Sequence, residues 1–235
     1  MEHISNFSGQ TNALDWLVSS DKEREALNRK SVNRNFGLGD TVFHEGDACQ
    51  GMYFVLSGLI GIRKTDAEGC SVLLHLVGPG DPIGYNAFVS DEEYAVSAEC
   101  LEASTLAYVP KAGLLSIFAH NPEVTMRFLQ RAVRYLGDAD LHAFEALTMS
   151  ARARVIRLLA SLAERYASPA ADGSAVIALP FSRRDMADIV GIRPESISRV
   201  IRQLIDEGIA EFDNRHVRVP AMNALYDDFD TNLAA

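Results

Sequence analysis

Glycine-containing turns cut the chain between Ser31 and about Pro110 into short apolar runs, and this punctuation constrains the fold more than any other feature. The runs are Thr41 to His44, Met52 to Leu56, Leu59 to Arg63, Val72 to Val77 and Thr105 to Val109. Between them stand Gly37-Leu38-Gly39-Asp40, Glu45-Gly46-Asp47, Asp66-Ala67-Glu68-Gly69 and Gly78-Pro79-Gly80-Asp81. Short strands at such spacing build a β-sandwich or jelly roll rather than βαβ units. Ahead of them, Asn12 to Lys30 reads as helical, with Leu14, Leu17 and Leu27 as buried positions.

After the strands the period changes. Glu123 to Leu136 contains neither Gly nor Pro, and the pattern runs on through Gly137 to Leu147. Met126, Leu129, Val133, Leu136, Ala143 and Leu147 follow a heptad seam in which Asp140 takes the one charged place. Amphipathic stripes commonly pack on their own protein's core. This one is narrow and regular, which favours a two-fold helix pair. Asp140, or its neighbour Asp138, then sets like charges close together across the dimer axis, weakening the pair and making it responsive to other inputs.

The chain has 235 residues, a formal charge of -10 and 48% hydrophobic residues. That suits one large or two modest globular domains. Met1 to Gln10 carries no Lys or Arg and no apolar block, and the longest largely apolar run, Tyr53 to Ile62, is broken by Ser57, Gly58 and Gly61. No secretory signal and no membrane span are expected, and the expected location is cytoplasmic. Cys49, Cys70 and Cys100 are scattered and odd in number, so neither a disulfide framework nor a CxxC metal site is written here. Residues 1–149 carry an acidic excess, whereas residues 150–220 carry a slight basic excess in which every basic residue is arginine. Arginine's planar fork suits phosphate and guanine.

Ser150 is an N-cap for a helix to about Ala167, residues 168–174 form a loop, and Ala175 to Leu179 is a strand. Ser182 with Asp185 writes a capping box, and Gly191 ends the helix it starts. Ala187, Gly191 and Ile197 sit at the offsets of a helix-turn-helix: a small residue for close approach, a glycine for the turn, and a β-branched residue between the helices. Pro194 suits the first position of the second helix. There Ile197, Val200, Ile201 and Leu204 share one face, and Glu195, Ser198, Arg199 and Arg202 share the opposite one. Ile209 to Phe212 and His216 to Val219, joined at Asp213-Asn214-Arg215, form the hairpin of a winged helix. Arg199 can donate to a guanine edge, Glu195 can accept from a cytosine amino group, and Ser198 leaves room for a thymine methyl. Arg183, Arg184, Arg193 and Arg202 are placed to hold phosphates.

From about Asn12 to Pro220 the sequence resembles the Crp/Fnr family of bacterial transcription regulators. The likeness rests on Gly39-Asp40, Glu45-Gly46-Asp47, Tyr53-Phe54-Val55-Leu56-Ser57-Gly58, Gly80-Asp81-Pro82-Ile83-Gly84 and the winged helix. It implies an α+β chain: a cyclic-nucleotide-type β-roll as effector domain over residues 1–118, a dimerisation helix over 119–148, and a winged helix-turn-helix over 149–235. Glu195-Ser196-Ile197-Ser198-Arg199 looks like the Fnr branch, which implies a homodimer on a palindrome with TTGA-type half-sites and RNA polymerase as a further partner.

Family members that bind cyclic AMP use an Arg and a Glu from the window that is here Gly84 to Val96. This window holds no basic residue; Tyr85 stands where the Glu would be and Tyr94-Ala95 where Arg-Ser would be. Asp91, Glu92 and Glu93 would repel a phosphate. Cyclic AMP is therefore not the expected effector; Ile83, Gly84, Tyr85 and Tyr94 are the candidate effector-region residues for another ligand or for a non-standard nucleotide pocket. No cysteine precedes Cys49, so an Fnr-type iron–sulfur cluster is not expected. Haem with a diatomic gas such as nitric oxide remains an alternative, with His44, His75, His142 and Cys70 as candidate ligands. An enzyme is not expected: the six histidines are dispersed, no HxH pair exists, and there is no nucleophile elbow, P-loop or dinucleotide fingerprint.

Overall fold

The structure is a computed structural model that describes residues 14–18, 20–169, 174–222 and 225. The stretch Met1 to Gln10, Asn12 at the start of the expected first helix, and the middle of the expected 168–174 loop lie outside these residues. The chain forms two compact units, Met1–Asp138 and Ala139–Ala235.

In the first unit, α1 (Asp21–Asn28) precedes β1 (Val32–Phe36), β2 (Thr41–Phe43), β3 (Gly51–Ser57), β4 (Ile60–Thr65), β5 (Ser71–Val77) and β6 (Pro82–Ile83). Then come α2 (Tyr85–Ser90), β7 (Ser97–Cys100), β8 (Ser104–Pro110), α3 (Lys111–His120) and α4 (Pro122–Thr148), within which the division of the units falls. The expected helix over 12–30 is shorter. Leu14 to Leu17 is a turn, and α1 begins where the Ser20 hydroxyl accepts the Glu23 N–H at 3.3 Å. Leu14, Leu17 and Leu27 are nonetheless buried, as their spacing indicated.

Two antiparallel four-stranded sheets make the roll, ordered β1-β8-β3-β6 and β2-β7-β4-β5. Their inward residues form a continuous core that includes Met52, Phe54, Ile60, Ile83, Ala98, Cys100, Leu106 and Val109. Glycine is required at Gly58, where φ is +92° and a Cβ would come within 2.1 Å of the Ser104 hydroxyl. β1 pairs with β8 from Val32↔Tyr108 to Phe36↔Ser104, and β7 pairs with both β2 and β4.

The second unit holds α5 (Ala151–Tyr166), β9 (Ala167–Pro169), β10 (Ala175–Ala178), α6 (Arg183–Ile189), α7 (Pro194–Asp206), β11 (Glu211–Asp213) and β12 (His216–Val219). Ser150 caps α5 by accepting the Ala153 N–H at 3.1 Å. Residues 167–169, read as the end of a helix and the start of a loop, instead form an edge strand paired with β10, from Ile177↔Ala167 to Ala175↔Pro169. The sheet order is β11-β12-β10-β9. Val155, Ile156, Leu159, Ile177, Met186, Ile197, Leu204, Val217 and Val219 are buried in this unit.

Candidate nucleic-acid interface and effector region

The helix-turn-helix is built from short-range bonds. The Ser182 hydroxyl accepts the Asp185 N–H at 3.1 Å, and the Asp185 carboxylate accepts the Ser182 N–H at 3.0 Å, closing the capping box of α6. Gly191 turns the chain with φ +65°, and the Ile192 N–H returns to the Ala187 carbonyl at 2.9 Å. Ala187 is fully buried, which lets α6 and α7 approach closely. Pro194 opens α7, Arg193 stands at its N-cap, and Glu195 lies in its first turn, where the helix dipole favours an acid.

Ile197, Val200, Ile201 and Leu204 are the buried face of α7. Glu195, Ser198, Arg199 and Arg202 are exposed together on the other. Ser198 spends its hydroxyl proton on the Pro194 carbonyl at 3.1 Å, leaving the oxygen and a small profile outward. Arg183 and Arg184 are exposed on the first turn of α6, and Arg193 is exposed ahead of α7. Elsewhere in this unit arginines pair with carboxylates: Arg152 with Glu207 at 2.5 Å, Arg157 with Glu145, and Arg218 with Glu211 at 3.2 Å. Among the described residues Arg193, Arg199 and Arg202 have no such partner, so their charge is available to an outside anion. The hairpin β11–β12 turns at Asn214, φ +49°, and exposes Arg215 and His216 at its tip.

The exposed stripe of α4 is apolar. Met126, Leu129, Val133, Leu136 and Leu147 are 54 to 88% exposed, and Asp140 and Ala143 are exposed in line with them. Phe144, 60% exposed, joins this surface; its place one turn beyond Asp140 was the signal that a strict heptad count passed over. On the opposite face Val124 and Phe128 are buried.

The candidate effector-region residues are taken up in packing within the roll and against α4. Ile83 and Tyr94 are core residues, 1% and 5% exposed. Tyr94 stacks on Phe43 at 3.9 Å between ring centroids, and its hydroxyl donates to the Gly51 carbonyl at 2.8 Å. Gly84, φ +82°, makes room for that ring: a Cβ there would lie 2.7 Å from Tyr94 Cε1. Tyr85 stacks on Tyr135 at 5.2 Å. Burial raises the pKa values of Tyr85 and Tyr94, so both rings stay neutral at physiological pH. Beside Tyr53 and Tyr108 the roll also holds a cation that the sequence did not signal. Arg34 on β1 lies 4.2 Å over the Tyr108 ring and donates to the Tyr53 hydroxyl at 3.1 Å, a pairing made across strands with no spacing signature. A cavity of about 190 Å³ lies elsewhere in the roll, lined among others by Leu14, Val18, Leu27, Leu56 and Ala107.

A haem would need an apolar slot flanked by an axial ligand. His44, His75, Cys70 and His142 are each exposed, and none lines that cavity. Among the described residues no three His, Cys, Asp or Glu side chains gather. The residues present do not fit a haem. No helix of the described residues is long and apolar enough to cross a membrane.

Residues 33–121 match the cyclic nucleotide-binding domain family, and residues 153–227 match the Crp-like helix-turn-helix domain family. The nitrogen fixation regulation protein FixK of Bradyrhizobium diazoefficiens is 29% identical over 187 residues, covering 80% of this chain and 76% of the relative. The cyclic AMP receptor protein of Thermus thermophilus is 26% identical over 201 residues, 86% of this chain and 89% of the relative. The c-di-GMP responsive global regulator CLP of Xanthomonas campestris has the same fold, with a TM-score of 0.73 at 21% identity over 85% of this chain and 99% of that one.

Proposed function

Since the chain belongs to the Crp/Fnr family of transcription regulators, we propose that it binds, as a homodimer, a palindrome with TTGA-type half-sites and does so without cyclic AMP. The carrying observation is the exposed row Glu195, Ser198, Arg199 and Arg202 on α7, whose two arginines are not spent on carboxylates of their own unit. Arg199 reads guanine, Glu195 reads cytosine, and Arg183, Arg184, Arg193 and Arg202 hold phosphates. The exposed stripe of α4 from Met126 to Leu147 is the surface on which two copies pair, and the half-sites then lie one helical turn apart, about 34 Å. RNA polymerase is the downstream partner, in the cytoplasm.

The effector reading rests on Tyr94. Its ring fills the space beside Gly84 and bonds to Gly51, so the window read as the place for a nucleotide is closed by the protein's own side chain. DNA binding is accordingly independent of a small nucleotide. A fluorescence anisotropy titration of a TTGA palindrome, with protein purified in air and given no additive, tests both statements. Tight binding, unchanged by cyclic AMP, is expected. Absence of binding that only cyclic AMP restores overturns the effector reading, and recovery with haem and nitric oxide alone would make the protein a gas sensor. Retained nanomolar affinity for the palindrome after Arg199→Ala would sink the assignment of the recognition row.

A further inference from the structure

Arg154 stands on the first turn of α5, and its Nη1 donates to the Val190 carbonyl at 2.5 Å and to the Gly191 carbonyl at 3.3 Å. Val190 closes α6 and Gly191 makes the left-handed turn that leads to α7, so the guanidinium grips the turn of the helix-turn-helix itself. Its neighbours on α5 behave differently. Arg152 and Arg157, two residues before it and three after it, each pair with a carboxylate. Among the described residues no carboxylate is within ion-pairing distance of Arg154, and its Nε is buried without a hydrogen-bond partner.

A half-buried guanidinium that holds two carbonyls satisfies part of its donor set but leaves its charge uncompensated, an arrangement that costs free energy unless an anion arrives. The anion would arrive at the right place. Nη1 lies 3.3 Å from where a Cβ on exposed Gly191 would stand, three residues ahead of Pro194 at the start of the recognition helix. Residues at the N-terminal end of a recognition helix enter the major groove, and the turn before it lies beside the sugar–phosphate backbone.

We propose that Arg154 takes a DNA backbone phosphate as its missing counter-ion, so that one side chain both sets the turn of the helix-turn-helix and anchors it to the duplex. This rests on the DNA-binding reading above, and the ligand is a phosphodiester of double-stranded DNA. Arg154 is a positioning residue for the base-reading row and adds one phosphate contact per protomer.

The test is the salt dependence of binding of the full-length protein to the palindromic duplex, read by anisotropy between 50 and 200 mM salt. Each phosphate neutralised contributes about 0.9 to the slope of log K against log salt, so Arg154→Met should make the slope of the dimer shallower by about 1.8. Arg154→Lys keeps the charge and should keep the slope while lowering the melting temperature, because its side chain is one bond shorter and falls short of the two carbonyls that Nη1 reaches. Arg154→Gln retains an N–H for the Val190 carbonyl without charge, and reads the same loss should the methionine variant fail to fold. A melting temperature that falls while the slopes of the Met and Gln variants equal the wild-type slope overturns the proposal, since a purely structural brace changes stability and not ion release. Failure of the underlying reading is seen separately, as a wild-type protein that does not bind the duplex at all.

Discussion

The Tyr135 hydroxyl donates to the Asp81 carboxylate at 2.7 Å, and Arg131, one turn earlier on α4, pairs with the same carboxylate oxygen. Asp81 closes the Gly78-Pro79-Gly80-Asp81 turn of the roll and its side chain is only 3% exposed. Arg131 also lies 5.4 Å over the Trp16 ring, whose indole N–H donates to the Gly80 carbonyl. The N-terminal turn, the β5–β6 turn and α4 are thereby joined through one buried charge. Burial, reinforced by the Asp81 charge, holds the Tyr135 phenol well above its usual pKa, so it remains a donor. Asp81→Ala leaves the largely buried Arg131 unpaired and should cost about 3 to 5 kcal/mol. Tyr135→Phe removes one bond from a carboxylate that keeps Arg131, costing about 1 kcal/mol. Urea midpoints should fall in the order wild type, Tyr135→Phe, Asp81→Ala; equal midpoints would mean that the pair carries no stability.

The stripe on α4 predicts opposite effects at two neighbouring turns. Leu136 is 65% exposed and apolar, so Leu136→Glu should weaken self-association by about tenfold or more, equivalent to about 1.4 kcal/mol. Asp140 is the charged position in the proposed seam, so Asp140→Leu should tighten the dimer and DNA binding with it. Sedimentation velocity over a concentration series reads both. An unchanged profile for Asp140→Leu would count against the pairing of this face.

Features governed by neighbours in sequence are legible in the sequence itself. The Ser182–Asp185 box, the Ser150 cap, the Gly191 turn and the buried face of α7 all depend on contacts within a few residues. β1 is different. Its residues Val32-Asn33-Arg34-Asn35-Phe36 are mostly polar because it is an edge strand, and only pairing with the sequence-distant β8, from Val32↔Tyr108 to Phe36↔Ser104, makes it one. The Asp81–Arg131 pair and the Arg34–Tyr108 contact span long separations for which no periodicity exists. The inward turn of Tyr94 depends on the space left at Gly84, so a window read as the effector region supplies a core ring instead. Within the second unit, Arg154 looks like any polar residue on α5; only the fold brings it to Val190 and Gly191.

Arg199 and Arg202 share a face of α7 and should nonetheless fail differently. If Arg199 reads guanine as proposed, Arg199→Ala should cost about 1 to 3 kcal/mol at the cognate site and relax choice at the guanine position. With Arg202 on a phosphate as proposed, Arg202→Ala should weaken all duplexes alike and make the salt slope of the dimer shallower by about 1.8. Competition titrations with single-base variants of the half-site separate the two. Sequence-independent loss in the Arg199 variant would reassign it to the backbone.

The roll should be sensitive to alkali, and the sign follows from its buried acids. Burial, with the charges of Asp40 and Glu99 behind it, pushes the Cys100 thiol up to about 11, and burial raises Tyr94 and Tyr135 as well. In the unfolded chain a thiol releases its proton near 8.5 and a phenol near 10. Between those values and the folded ones the unfolded state binds fewer protons, so stability is whole below about pH 8 and declines as pH rises. Cys100 alone should remove about 2 to 3 kcal/mol by pH 11. A melting series from pH 7 to 11 should show this decline, smaller in Cys100→Ala. The same burial makes a chemical prediction at pH 8. Cys70 is exposed while Cys49 and Cys100 are buried, so an aromatic disulfide reagent should titrate one thiol per folded chain and the other two only after unfolding. Rapid modification of Cys100 in the native protein would show that the roll opens at that strand, and the Cys100 share of the alkaline decline would then be absent.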